Sequence, residues 1–274
     1  MAVPGRRIPD NAPRGLAESE LFAVDAYLRD FESGVFEVDA EQGRVALRRT
    51  AFFPGGGGQP FDVGTLEWAD GSSEVTAPVT KVGRDRETGR IWHWLEGGAL
   101  PGPDAEVSGV LDWDRRHLTM RTHTALHILC GVIWSEFGLA VTGGNMDPGK
   151  GRLDFPFESM STELGQQVER RINEEIDAAR EILVDFVGRE VADEDAALIR
   201  TSANLIPREI DPLRVIDIVG LDKQADGGTH VLSTAEVGQV AVTGTESKGK
   251  GNKRIRIEVR DPLVEPVEAR SSSG

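Results

Sequence analysis

The chain has 274 residues and a formal net charge of −15, and it is long enough for one large domain or two modest ones, each with a core. Its acidic balance argues against broad, non-specific affinity for nucleic acids but leaves room for a local basic surface. No apolar run reaches the roughly 20 residues that a membrane helix needs, and no membrane partner is expected. The single cysteine, Cys130, excludes an internal disulfide framework and, with no apolar signal segment at the N-terminus, predicts a cytoplasmic protein.

The first 112 residues predict an arm followed by a small all-β domain. Residues 1–19 are rich in Pro, Arg and Gly and are expected to form a flexible arm. Over residues 20–112, short alternating runs separated by Gly-containing turns predict a small antiparallel β-barrel or sandwich, and we prefer the barrel. The expected strands are Gly34–Val38, Arg44–Arg48, Ser73–Thr80, Ile91–Leu95 and Ala105–Asp112.

Residues 113–262 combine long helices with strands. Asp114 is expected to cap a helix that runs to Phe137. A second, amphipathic helix is predicted over Thr162–Leu183 and a shorter one over Asp193–Arg200. Because helices and strands do not alternate regularly, the pattern indicates an α+β domain whose sheet is packed by long helices. The expected strands are Gly151–Phe155, Leu213–Ile218, Gly238–Thr243 and Lys253–Val259, and residues 263–274 are expected to be a disordered tail.

Two pairs of polar residues in this second domain share the same spacing. His123 and His127 lie on one face of the predicted helix, about 40° apart around its axis, so both imidazoles can reach one ion. Asp226 and His230 flank a Gly-Gly pair that lets the backbone turn sharply. Each pair alone is also compatible with ordinary polar residues at the edge of a core. Together, three imidazoles and a carboxylate are a plausible ligand set for Zn²⁺.

The order of several motifs gives a family resemblance. HTALH in a helix, followed about a hundred residues later by GGTHVLSTAEVG, resembles the alanyl-tRNA editing domain, and in particular the freestanding editing proteins called AlaX. FFPGGGGQPFDVG at 52–64 resembles the glycine-rich motif of that family's N-terminal barrel. LDWDRRHLTMRTHTALHIL, VTGGNMDPGKGRLDFP and SKGKGNKRIRIEV match further segments in the same order, so the resemblance covers most of the chain.

The resemblance implies a hydrolase that cleaves the ester between a wrong amino acid, usually serine and sometimes glycine, and the 3′ end of a tRNA for alanine. It also implies that His123, His127, Asp226 and His230 form a catalytic zinc site, although the family normally has a cysteine where this chain has Asp226. A carboxylate is a harder ligand than a thiolate and is expected to leave the ion a stronger Lewis acid. Asp226 is either a metal ligand, which we prefer, or a general base or partner for the substrate's ammonium group.

Substrate recognition is expected to depend on small polar groups and glycines near the histidines. A site built around a hydrogen bond to a substrate hydroxyl rejects an analogue that lacks it. The predicted substrate-binding residues are Thr124, Thr142, Asn145, Thr229, Gly57, Gly58 and Gln59. The tRNA acceptor stem is expected to contact a basic edge through its phosphates, formed by Arg115, Arg116, Lys248, Lys250, Lys253 and Arg254.

Three functions remain open from the sequence. The default is clearance of Ser-tRNA(Ala) or Gly-tRNA(Ala). Because Asp226 stands where the family normally has a cysteine, a threonine-like substrate, such as fluorothreonyl-tRNA, is the alternative. The other class is an inactive, metal-free tRNA-binding protein, and the oligomeric state stays open between monomer and homodimer.

Overall fold

The computed structural model describes residues 9–159, 161–194, 198, 207–208, 210–247 and 251–261. Its first elements are two short helices, α1 (Arg14–Ser19) and α2 (Leu21–Val24). Thr50 ties this segment to the barrel, because its N–H donates to Ser19 O and its carbonyl accepts from Leu21 N–H, both at 2.9 Å. Residues 14–19 are therefore helical, and residues 1–8 lie outside the described range.

Six strands form a closed antiparallel barrel, in the order β1-β2-β5-β4-β3-β6, with β6 pairing back onto β1. The barrel core is a cluster of buried aromatic and aliphatic side chains that includes Phe31, Phe52 and Leu66. The prediction of an antiparallel barrel is confirmed, although β3 was not among the predicted strands. The strands are β1 (Asp30–Asp39), β2 (Arg44–Leu47), β3 (Gly64–Asp70), β4 (Ser73–Arg84), β5 (Ile91–Leu95) and β6 (Glu106–Leu111).

The second domain has two antiparallel sheets, which confirms the predicted α+β class. One sheet has the order β12-β13-β8-β7 and the other β11-β10-β9. The strands are β7 (Gly143–Asp147), β8 (Lys150–Phe155), β9 (Ile182–Val187), β10 (Leu213–Ile218), β11 (Asp222–Ala225), β12 (Gln239–Ser247) and β13 (Lys253–Arg260), and the helices are α3 (Trp113–Phe137), α4 (Thr162–Asp177) and α5 (Arg189–Glu194).

Helix α3 leads from the barrel into this domain. The side chain of Asp112 caps it by accepting from Arg115 N–H at 3.1 Å, and Gly138 ends it with a φ of 65°. Asp114, the predicted cap, instead lies in the first turn, where a carboxylate interacts favourably with the helix dipole. Every residue from 119 to 133 is buried, because strands and α4 pack around the helix. His123 and His127 are therefore held in the interior, whereas His117 is half-buried.

Two other helix predictions differ from the structure. Helix α4 ends at Asp177, and Ala179 adopts a positive φ of 49°, so residues 182–187 form strand β9 and not the last turns of a helix. The helix predicted over 193–200 begins earlier, as α5, and most of its predicted range lies outside the described residues, as does the predicted tail. No helix in the described part of the chain is both long and apolar enough to cross a bilayer.

Candidate metal centre

His123, His127, Asp226 and His230 converge into one cluster, in which the potential ligand atoms all lie within 4.8 Å of one another. Helix α3 supplies the first two residues, and the loop after β11 supplies the others. The rings of His123 and His230 stack with centroids 4.3 Å apart, and His127 meets them edge-on at 5.0 and 4.6 Å. Carboxylate oxygens of Asp226 lie 3.6 Å from His123 Nε2 and 3.1 Å from His230 Nε2. The two pairs noted in the sequence therefore form a single site.

The Gly-Gly pair allows the loop to approach the helix. A Cβ at position 228 would lie 2.4 Å from His123 Cε1 and 2.4 Å from Gln59 Oε1, so the site requires glycine there. The N–H of Gly228 donates to Asp226 Oδ2 at 2.6 Å, as in an Asx turn. This hydrogen bond fixes the carboxylate toward the histidines.

Each imidazole is held from behind through its Nδ1. An N–H at Nδ1 that donates to an oxygen leaves the Nε2 lone pair free to face the cluster, which is how metal-binding histidines are usually oriented. The facing oxygens are Gln59 Oε1, 2.9 Å from His123; Asp222 Oδ2, 3.2 Å from His127; and Thr124 Oγ1, 3.1 Å from His230.

The cluster favours an ionised Asp226 carboxylate beside neutral imidazoles at His123 and His230. Burial lowers the pKa of His123 to about 4 and also holds the pKa of His230 well below its ordinary value. Burial acts against His127 too, but the hydrogen bond to Asp222 and the charge of Asp226 outweigh it and raise the pKa of His127. Burial would raise the pKa of Asp226, yet the adjacent histidines hold it well below its usual range. An ionised carboxylate and neutral imidazoles are the forms that bind metals.

Three predicted substrate-binding residues lie behind the histidines. Thr124 and Thr229 are fully buried and Gln59 is 3% exposed. The Gln59 amide is engaged on both sides: Oε1 accepts from Thr229 N–H and faces His123, while Nε2 donates to the Thr229 hydroxyl. The Thr124 hydroxyl contacts His230. These contacts give all three residues a role in holding the site, and substrate binding by them stays a prediction.

The other four predicted substrate-binding residues, Gly57, Gly58, Thr142 and Asn145, are exposed. Gly57 and Gly58 have φ values of 59° and 92°, which glycine adopts without strain. A Cβ on Gly58 would lie 3.9 Å from Asn145 Cα, so the tip of the glycine loop lies against β7. Thr142 donates to Asn252 Oδ1 at 3.0 Å. These four exposed residues line the junction between the glycine loop of the barrel and strand β7 of the second domain, and we call them the rim.

The assignment of Arg116 to tRNA binding is wrong. Its side chain is fully buried, and its guanidinium bonds to the Asp62 carboxylate and to the carbonyls of Ala26 and Ala51 at 2.9 and 2.5 Å. A guanidinium buried with these partners is not available to a phosphate. It holds α3 against the barrel instead.

The remaining basic residues predicted to contact tRNA differ in accessibility. Arg254 is 9% exposed and forms a bidentate pair with Asp154, at 2.7 and 2.8 Å. Arg115 and Lys253 are half-buried and keep part of their surface accessible. Lys248 and Lys250 lie outside the described residues.

Asp222, Gln224 and Arg214 also contact the site and were not predicted from the sequence. Gln224 Nε2 lies 3.2 Å from His127 Nδ1. On the same side of that ring, Asp222 Oδ2 also lies 3.2 Å from Nδ1. Arg214 holds the backbone of Asp226 from both sides: its guanidinium donates to Asp226 O at 2.9 Å, and its own carbonyl accepts from Asp226 N–H at 3.0 Å. All three contacts follow from the β10–β11 hairpin, in which Val215 pairs with Ala225. Continuing that register by one residue places Arg214 opposite Asp226.

The closed barrel, the α+β domain and the buried cluster define a two-domain protein with a candidate metal centre of three histidines and one aspartate. Residues 213–256 match the family described as threonyl and alanyl tRNA synthetase second additional domain. The chain is 36% identical over 241 residues to the alanyl-tRNA editing protein AlaX-M of Saccharolobus solfataricus, covering 88% of this chain and 98% of that protein. It is 35% identical over 246 residues to the AlaX-M protein of Methanosarcina acetivorans, with 88% and 98% covered.

A longer relative gives the same match. The alanine–tRNA ligase of Pyrococcus abyssi is 33% identical over 238 residues, which is 86% of this chain but 25% of the ligase. The chain therefore belongs to the AlaX-M family of alanyl-tRNA editing proteins, as the motifs in its sequence predicted.

Proposed function

We propose that this protein is a trans-editing deacylase that hydrolyses the ester between a mischarged amino acid and its tRNA. The observation that carries the proposal is the buried cluster of three histidines and an ionised aspartate beside an exposed glycine rim. Family membership supports the reaction, since AlaX editing proteins are deacylases of this kind. A tRNA charged with the wrong amino acid is accordingly the proposed partner.

The distances from the Asp226 carboxylate to two of the imidazoles fit zinc. Bonds of about 2.0–2.1 Å in a tetrahedral site place neighbouring ligand atoms about 3.3 Å apart. The Asp226 oxygens lie 3.6 and 3.1 Å from Nε2 of His123 and His230, close to that separation. His123, His127, Asp226 and His230 would hold the ion, and this spacing supports Asp226 as a ligand over Asp226 as a base. Bound Zn²⁺ supplies Lewis-acid polarisation of a carbonyl or a lowered pKa for a bound water.

The chain's own residues prepare the site for the ester. Gln59, Thr124 and Asp222 hold the three rings from behind, so their Nε2 atoms are oriented before the substrate arrives. Gly57, Gly58, Thr142 and Asn145 are proposed to surround the aminoacyl group at the rim. The acceptor stem is proposed to approach along Arg115 and Lys253, with Lys248 and Lys250 as further phosphate contacts.

The proposed substrate is serine or glycine attached to tRNA for alanine, as the resemblance to the editing proteins implies. The aspartate at position 226 favours testing a second candidate, a threonine-like aminoacyl-tRNA, because a carboxylate changes the field that the substrate's amino group meets. A deacylation panel with seryl-, glycyl-, threonyl- and fluorothreonyl-tRNA separates the two candidates.

Zinc content and hydrolysis should be measured on the same preparations of wild type, Asp226→Ala and Asp217→Asn. Asp217 is a carboxylate of β10 that pairs with Lys223 at 3.5 Å, outside the cluster, and serves as the charge-matched control. We expect about one zinc per wild-type and control chain, and loss of both zinc and hydrolysis in Asp226→Ala. Unchanged zinc with lost hydrolysis would remove the ligand role. A wild-type protein that binds tRNA but has neither zinc nor hydrolytic activity would be a binding protein instead.

A further inference from the structure

A second carboxylate lies directly behind the cluster, on the outer side of His127. Asp222 opens strand β11, and its side chain has 0% exposure. Its Oδ2 lies 3.2 Å from His127 Nδ1 and 2.6 Å from Gln224 Nε2. Gln224 Nε2 also lies 3.2 Å from His127 Nδ1. Because an amide nitrogen only donates, an N–H at His127 Nδ1 has the Asp222 oxygen as its acceptor, and that oxygen then accepts from both the imidazole N–H and the amide N–H.

The packing of β11 on helix α3 brings this carboxylate to the histidine. Gly131 lies one helical turn after His127, and a Cβ there would stand 2.9 Å from Leu221 Cγ and 3.1 Å from Asp222 Cβ. Glycine at this position lets the start of β11 touch the helix. The β10–β11 hairpin, with Ile218 opposite Asp222, fixes the strand from its other side.

The three imidazoles have different kinds of outer partner. His123 faces the neutral amide of Gln59, and His230 faces the neutral hydroxyl of Thr124. Within the described part of the chain, His127 alone has a carboxylate behind it. A neutral acceptor is enough to orient a ring, whereas a carboxylate also increases the electron donation of the opposite nitrogen.

We propose that Asp222 positions His127 and makes it the strongest imidazole donor of the metal centre. Two carboxylates then act on the ion, Asp226 directly and Asp222 through the His127 ring. The inference rests on the proposed function only in that it requires the cluster to bind a metal. Asp222 itself does not touch the substrate.

The test is zinc affinity, measured by competition with a chromophoric chelator. Asp222→Asn keeps the size of the side chain and removes its charge, and we expect about 10- to 100-fold weaker zinc binding, the range seen when the outer partner of a ligating histidine is altered. Asp217→Asn removes one charge from the neighbouring strand without contacting a histidine, and it should bind zinc as wild type does. Cobalt-substituted Asp222→Asn should retain a four-coordinate absorption spectrum with shifted bands.

Each outcome bears on the proposal. Equal zinc affinity in Asp222→Asn and wild type overturns it, and so does a wild-type chain that binds no zinc. A wild type that binds zinc but deacylates no tRNA would overturn the proposed reaction, while weaker zinc binding by Asp222→Asn would still support the positioning role. If Asp222→Asn does not fold by circular dichroism, Gln224→Met replaces it. Removing that amide takes away the donor that orients Asp222 Oδ2 toward His127 and a neighbour of His127 Nδ1, so the carboxylate can turn away from the ring. Zinc binding should then weaken several-fold, and unchanged affinity counts against the proposal.

Discussion

Arg116 joins helix α3 to the barrel, and its replacement by methionine is expected to cost about 3–5 kcal/mol of unfolding free energy. The guanidinium is fully buried and bonds to the Asp62 carboxylate, which is itself 2% exposed and also accepts from Phe53 N–H at 2.6 Å. Methionine keeps the apolar stem but leaves the carboxylate buried without its cation. That loss is a large share of the 5–15 kcal/mol that typically stabilises a domain.

Urea unfolding followed by tryptophan fluorescence measures this cost. The double variant Arg116→Met/Asp62→Asn should recover at least about 2 kcal/mol, because the orphaned charge is gone while an acceptor for Phe53 N–H remains. A loss below about 1 kcal/mol in the single variant would refute the reasoning. So would a double variant no more stable than the single one. Because Arg116 is buried, its replacement should not change the salt dependence of tRNA binding once folding is accounted for.

Two further predictions concern the barrel core and the metal loop. Burial lowers the pKa of His93 to about 4 from an ordinary 6.5, and its Nε2 lies 2.9 Å from the Thr50 hydroxyl. The pKa of His93 is lower in the folded protein than in the unfolded chain, so the unfolded chain binds the proton first as the pH falls. The free energy of unfolding therefore decreases between pH 6.5 and pH 4, by about 3 kcal/mol in total, and is unaffected by His93 above pH 6.5. Urea unfolding between pH 7 and 4.5 should show a shallower pH slope for His93→Phe than for wild type, and equal slopes would contradict the assignment. Gly228→Ala should weaken zinc binding because its Cβ would lie 2.4 Å from His123 Cε1, whereas Gly227→Ala, with nothing within 4 Å, should bind zinc normally; equal affinities would exclude the steric argument.

The local part of the site could be predicted from the sequence, and the long-range part could not. The period of an α-helix places His123 and His127 on one face, and the Gly-Gly pair marks a sharp turn before His230. Gln59 lies 64 positions before His123 in the sequence, and no neighbouring residue in the sequence indicates that its amide faces an imidazole. Its contact depends on how the barrel docks on the second domain, which periodicity does not describe.

Arg116 and helix α4 show two different reasons for wrong predictions. An arginine in the first turn of a helix is ordinarily exposed, and its partner Asp62 lies 54 positions away, so the burial of Arg116 follows from tertiary packing alone. In α4, Ile172, Ile176 and Leu183 continue a helical period through the segment that forms β9. Short apolar runs fit either a helix or a strand, and the positive φ of Ala179 decides between them.

Both the backbone and the carboxylate of Asp226 are fixed by hydrogen bonds. Arg214 bonds to both backbone groups of Asp226, and Gly228 N–H fixes its carboxylate toward His123 and His230. Because aspartate and thiolate each carry one negative charge, the substitution alters ligand hardness while conserving the charge at that position. If Asp226 binds zinc, its consequence should therefore appear in how the ester is polarised and which amino acid is cleared, and less in whether the metal is retained.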